Sequence, residues 1–136
     1  MPNSVLLLGS GFVAAPAVEY LSKEGIHVTV ASRTLSSAQK LAGSFPNAKG
    51  ISLDVNDASA LENAVAQYDL TISLIPYTHH AAVIKAAIKA KKHVVTTSYV
   101  SPAMQALHEE AKAAGITVMN EIGVSRNWIE TCCSNC

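Results

Sequence analysis

An apolar run, Ser4-Val5-Leu6-Leu7-Leu8, gives way to Gly9-Ser10-Gly11-Phe12-Val13-Ala14, and an amphipathic stretch follows at once. Few folds accept this arrangement. Gly9 permits a tight turn, Gly11 removes the side chain where backbone must approach a pyrophosphate, and Ala14 lets a helix lie close on a strand. The N–H groups and positive dipole end of that helix then face the phosphates. The G-x-G-x-x-A pattern is therefore expected to be the first βα turn of a dinucleotide-binding sheet.

The rest of the chain keeps the same rhythm. Residues 12–23 read as a helix, with Val13, Val18 and Leu21 facing inward and Gly25 closing it. Strands are predicted over residues 4–8, 27–31, 50–53, 70–75, 94–97 and 116–119. Between them lie helices over 34–42, capped by Thr34, over 57–67, capped by Asp57, and from Thr78 to Lys92. In the last of these Val83, Ile84, Ala87 and Ile88 form the apolar stripe. One more helix starts at Ser101 with Pro102 in its first position and runs until Gly115 stops it. Six strands alternating with five helices imply an α/β fold: a doubly wound, parallel, six-stranded Rossmann sheet with helices on both faces.

Composition narrows the function. Of 136 residues 49% are apolar, enough to bury a core in one domain. Ten basic residues balance ten acidic ones, so neither nucleic acid nor an anionic membrane surface is expected as a partner. No apolar run approaches the roughly 18–20 residues a bilayer span requires. Met1-Pro2-Asn3-Ser4 does not resemble a secretory leader, and a cytoplasmic protein is expected. Whether it forms a homo-oligomer is left open. The domain is placed at residues 1–123, followed by an aperiodic tail, 124–136. That tail holds the single Trp and all three cysteines, Cys132, Cys133 and Cys136. Cys133 and Cys136 have CxxC spacing but no clustered co-ligands, so no metal site is expected.

The end of the second strand selects the cofactor. An NAD site usually carries a carboxylate there for the ribose hydroxyls. This chain has Ser32-Arg33-Thr34 instead. Arg33 is either a solvated surface cation or, as its position favours, a planar fork for a 2′-phosphate, with Ser32 and Thr34 as donors. Hydrogen bonds to a charged group contribute roughly 1.5–3 kcal/mol each, enough for a tenfold preference for NADP.

Ligands in such sheets lie outside the carboxyl ends of the strands. Those ends carry Asp54-Val55, Ile75-Pro76-Tyr77 and Thr97-Ser98-Tyr99. Asp54 either accepts from the adenine amino group or caps a turn. Val55 and Ile75 would pack on adenine or ribose, and Thr97, Ser98 and Tyr99 would lie nearer the nicotinamide. Ser98 and Tyr99 either bind a substrate or satisfy local backbone. His79 and His80 are read as surface or helix-start residues rather than catalytic bases. The Tyr-x-x-x-Lys pair of short-chain dehydrogenases, a nucleophile elbow and a P-loop are all absent from the sequence.

Taken together, several stretches resemble one family. Val5 to Val13, the run Val28-Thr29-Val30-Ala31-Ser32-Arg33-Thr34, and Ile51-Ser52-Leu53-Asp54-Val55-Asn56-Asp57 look like fungal saccharopine reductases. These are the NADP-dependent, glutamate-forming saccharopine dehydrogenases of lysine biosynthesis. The likeness continues in Ile72-Ser73-Leu74-Ile75-Pro76-Tyr77-Thr78, from His93 to Ala103, and from Gly115 to Gly123. The resemblance implies that Ser10, Gly11, Phe12, Val13, Ser32, Arg33, Thr34, Asp54, Val55, Ile75, Thr97 and Ser98 contact NADP. It implies that Ser98 and Tyr99 contact saccharopine. It also implies the reaction, in which glutamate condenses with aminoadipate semialdehyde and NADPH reduces the imine.

Two departures stand out. The family usually has Cys where this chain has Ser32, which keeps a donor. After Gly123 the family continues Asp-Pro-Gly-Ile-Asp-His into a substrate-binding region, whereas this chain reads Val124-Ser125-Arg126-Asn127-Trp128. The expectation is a frameshift, a retained intron or a misplaced gene end, leaving a chain that binds NADP without turning over. A non-catalytic partner-binding product and a piece of another Rossmann oxidoreductase are the alternatives. The catalytic acid and base are unassigned.

Overall fold

Leu6 and Leu8 point into one core and Leu7 into another, on opposite faces of the same strand. Alternation of side chains across a strand, with both faces covered, turns a continuous apolar run into a central parallel strand. The computed structural model describes residues 4–11 and 13–122. Its six strands are β1 Ser4–Leu8, β2 His27–Ser32, β3 Ala48–Ser52, β4 Leu70–Ser73, β5 His93–Thr96 and β6 Val118–Met119. Its helices are α1 Ala14–Lys23, α2 Leu35–Ala42, α3 Ala58–Ala66, α4 His80–Ala90, α5 Pro102–Gln105 and α6 His108–Ala114. All strand pairs are parallel, in the order β3-β2-β1-β4-β5-β6. This is the doubly wound order, with its reversal between β1 and β4.

Helices α1 and α2 cover one face through small residues, Ala14, Ala38 and Ala42, against Leu7, Val28 and Val30. The approach is close enough that a Cβ at Gly50 would stand 2.6 Å from the Ala38 carbonyl carbon. Leu61, Val65, Val83, Ile84, Met104 and Leu107 from the other helices join Leu6, Leu8 and Val94 on the second face.

Several local expectations change. Thr34 occupies the N-cap position of α2 without a side-chain cap bond, and its own N–H turns back to Ser32 Oγ at 3.4 Å. Thr78 does not cap α4: a 3-10 turn, Tyr77–His79, intervenes after Pro76 and the helix begins at His80. The single helix expected up to Gly115 is two. The Leu107 N–H bonds the Met104 carbonyl at 3.1 Å, a tightened turn that buries both side chains and re-aims α6. Asp57 does cap α3, accepting from the Ala60 N–H at 3.1 Å, and Gly115 ends α6 in the left-handed conformation. Strand β4 stops at Ser73 and β5 at Thr96, so Ile75 and Thr97 lie in the loops beyond. The start of α1 expected at Phe12, the tail 124–136 and its CxxC spacing fall outside the described residues.

Candidate functional site

The strand reversal parts the loops after β1 and β4, and a cleft opens at the carboxyl ends of the strands. Gly9, Ser32, Arg33, Val55, Ile75 and His79 line it, and its volume is about 180 Å³. Whole small-molecule sites run to roughly 300–1,000 Å³, so the cleft suits one portion of a dinucleotide.

Its floor is the glycine turn. Gly9 has φ +117, and a Cβ there would sit 3.2 Å from the Leu74 carbonyl oxygen, so backbone angle and space both demand glycine. Gly11 differs: among the described residues a Cβ there would meet nothing within 4 Å, which leaves room beside it for a ligand. Helix α1 has no side-chain cap, and its Ala14 N–H turns back to the Gly11 carbonyl at 3.0 Å.

On one flank stands the turn after β2. Ser10 Oγ and Ser32 Oγ are 3.2 Å apart, tying the glycine turn to this segment. The Ser52 hydroxyl donates to the Arg33 carbonyl at 3.3 Å and holds the backbone from the β3 side. The Arg33 side chain is exposed, and its guanidinium forms no ion pair among the described residues. Asp54 takes the turn-capping role that the sequence offered as one of its two readings. Its Oδ1 accepts from the Asn56 N–H at 2.9 Å and the Asn56 side-chain amide at 3.0 Å. These bonds, first the backbone one, hold its carboxyl below the usual range, with the charges of Arg33 and His79 adding to them.

Beyond the opposite side of the reversal lies the segment after β5. Thr97 and Ser98 are half-buried and Tyr99 is 66% exposed. These three do not line the cleft. Glu121 fixes their loop twice: its N–H donates to the Ser98 carbonyl and its carboxylate accepts the Val100 N–H, both at 3.1 Å. Glu121 adopts a left-handed conformation, φ 63, to do so. The Thr96 hydroxyl donates to Asn120 Oδ1 at 3.0 Å.

His80 starts α4, one of the two places the sequence offered for it, but it is fully buried rather than at the surface. Its Nδ1 lies 2.8 Å from Ser73 Oγ and its Nε2 2.8 Å from Ser98 Oγ. Burial, then the neighbouring His79 charge, pushes its pKa down. Neither hydrophobic periodicity nor a motif marks this triplet, because the register of β4 and β5 creates it. Gly9, Ser32, Arg33, Val55 and Ile75 are brought together as expected, whereas Phe12 lies outside the described residues. Asn56, Pro76 and His79 join the lining without having been singled out for it.

Comparison with known proteins agrees with this geometry. The family described as "Saccharopine dehydrogenase NADP binding domain" matches residues 5–119. A saccharopine dehydrogenase [NADP(+), L-glutamate-forming] of Pyricularia oryzae is 64% identical over 122 residues, covering 90% of this chain. The protein of that name from Saccharomyces cerevisiae is 56% identical over 125 residues. Its apo crystal structure superposes with a TM-score of 0.86 over 89% of this chain. A mitochondrial alpha-aminoadipic semialdehyde synthase of Mus musculus is 42% identical over 124 residues, 90% of this chain and 13% of its own length. The chain spans 27% of the length of the Pyricularia relative and 28% of the Saccharomyces one.

Proposed function

This chain belongs to the family of saccharopine dehydrogenase NADP-binding domains, and from that premise we propose that it supplies the NADP(H) site of an oxidoreductase acting on saccharopine. The observation that carries the reading is the turn after β2. There an exposed Arg33, unpaired among the described residues, follows a Ser32 anchored to the glycine turn, with no carboxylate at the strand end.

The residues fit the cofactor. Gly9 and Gly11 shape the pyrophosphate turn, with Ser10, Phe12 and Val13 around the start of α1. Ser32, Arg33 and Thr34 hold the 2′-phosphate, and Val55 and Ile75 pack on adenine or ribose. Asp54 shapes its turn and borders the adenine. Thr97 and Ser98 approach the nicotinamide half, and Ser98 and Tyr99 meet saccharopine. The cofactor, when bound, would carry the hydride: NADP would accept it as saccharopine and water give glutamate and aminoadipate semialdehyde, and NADPH would return it to the imine in the reverse direction. The chain's own contribution is to fix the cofactor and to present the Thr97–Tyr99 loop to the reacting end. The domain occupies residues 1–123, and the setting is cytoplasmic lysine biosynthesis. Among the described residues no helix is long and apolar enough to cross a membrane.

A chimaera tests the reaction. Residues 5–119 replace the corresponding segment of the Saccharomyces cerevisiae relative, and saccharopine-dependent NADPH formation is followed by absorbance. Retained turnover with NADP and poor turnover with NAD is the expected result. A well-folded chimaera that uses NAD equally well, or ignores saccharopine, overturns the reading.

A further inference from the structure

A buried histidine between two serines has an orientation that can be derived. Ser73 closes β4 and is wholly buried, and among the described residues its hydroxyl has one hydrogen-bond partner, His80 Nδ1 at 2.8 Å. A serine hydroxyl carries one hydrogen, and a buried hydrogen without an acceptor is costly. If Nδ1 carried a proton, the ring would donate to Ser73 and strand the Ser73 hydrogen in the core. A doubly protonated ring would do the same and would place a charge in an apolar setting, which the downward shift of the His80 pKa opposes. Ser73 therefore donates, Nδ1 is bare, and the ring proton sits on Nε2. That proton points at Ser98 Oγ, 2.8 Å away.

Ser98 is thus the acceptor at the end of the chain, and its own hydrogen is released from His80. Ser98 is only half-buried and stands at the carboxyl end of β5. We infer that Ser73 and His80 are positioning residues that fix Ser98 as a hydrogen-bond donor toward an oxygen acceptor on the ligand: a ribose hydroxyl oxygen, a carboxamide carbonyl or a carboxylate. The inference rests on the placement of Ser98 at the ligand proposed above. It adds the direction of the bond and the two residues that set it.

Two measurements separate the relay from the ligand contact. In the ligand-free, 15N-labelled chain, long-range 1H–15N spectra at neutral pH report which imidazole nitrogen of His80 is protonated. The His80 resonances are identified by their loss in His80→Gln. A bare Nδ1 with protonated Nε2 is expected. A protonated Nδ1, alone or with Nε2, overturns the relay whatever the ligand does.

The second measurement is a double-mutant cycle on NADPH affinity. Ser98→Ala should weaken binding roughly fivefold, the scale of one neutral hydrogen bond. Ser73→Ala, which frees the ring to turn its other tautomer toward Ser98, should weaken it by a similar factor, and Ser73→Thr should restore it. In the Ser98→Ala background, Ser73→Ala should have no further effect. Equal effects of Ser73→Ala with and without Ser98 mean that Ser73 acts through the fold, which overturns its positioning role. Unchanged affinity in Ser98→Ala overturns the ligand contact itself, and the ligand-free spectrum tells that failure apart from failure of the relay.

Discussion

The Glu121 carboxylate accepts the Val100 amide hydrogen at 3.1 Å, bridging the segment after β6 to the loop that carries Tyr99. The bond joins positions 21 residues apart and restrains a loop with two exposed side chains, Tyr99 and Val100. In Glu121→Ala the Val100 amide should exchange with solvent at least about tenfold faster, as expected for loss of a hydrogen bond to a charged group. Hydrogen exchange by NMR checks this. Unchanged exchange would mean that the loop is held by other contacts.

Arg33 should decide the cofactor. The parent chain is expected to bind NADPH at least about tenfold tighter than NADH. Arg33→Ala should remove most of that difference while leaving NADH affinity nearly unchanged. Calorimetry with both nucleotides measures it, and equal affinities in the parent would reject the assignment.

Gly11 separates folding from binding. The space beside it is open to a methyl group, so Gly11→Val should leave circular dichroism and thermal stability close to the parent. The same substitution places branched carbons where the pyrophosphate must approach, and NADPH binding should be lost. Retained affinity would show that the ligand does not cross this turn.

Gly50 is the reverse case. A Cβ there would fall 2.5 Å from the Gln39 backbone nitrogen and 2.6 Å from the Ala38 carbonyl carbon. Backbone cannot swing aside as a side chain would, so Gly50→Ala should cost about 1–3 kcal/mol. Denaturant titration should record a lower midpoint with an unchanged slope. A midpoint equal to the parent's would mean that α2 lifts from β3 at no cost.

Acid should act through His80. Burial holds its folded-state pKa below the unfolded value near 6.5, with the charge of His79 pushing the same way. The unfolded chain then binds the proton more readily than the folded one. Stability is full above pH 6.5 and falls as the pH drops through the folded-state pKa. Urea titrations across this range should show the loss, and His80→Gln should flatten it. A slope that persists in a folded His80→Gln chain would assign the acid sensitivity elsewhere.

How much of this was legible beforehand follows from what is local. The βα rhythm, the G-x-G-x-x-A turn and the missing carboxylate at Ser32 are local in sequence, and the cleft brings Gly9 of that turn beside Ser32 and Arg33. The Asp57 cap and the Gly115 stop are local too. The crowding at Gly50 depends on how deeply α2 settles on the sheet, which no sequence spacing encodes. The helix start at His80 was legible, but its burial was not, because two adjacent histidines before an apolar stripe resemble a solvated helix end. Only the insertion of the Pro76 turn and the pairing of Ser73 with Thr96 bring the ring between two hydroxyls. The turn role of Asp54 was legible, but its second bond, to the Asn56 side-chain amide, was not.

The strand order carries one more consequence. Ser32 and Arg33 descend from the β1-β2-β3 half of the sheet, while Ser73, His80 and Ser98 descend from the β4-β5-β6 half. Among the described residues no hydrogen bond joins the two groups. On the proposed site the nucleotide is read by two instruments that can be retuned one at a time. Replacing Ser32 and Arg33 to favour the unphosphorylated cofactor leaves the proton wiring at Ser98 intact, and rewiring Ser98 leaves the choice of cofactor alone. A lineage or a designer starting from this sheet can change the electron carrier and the chemistry it serves in separate steps.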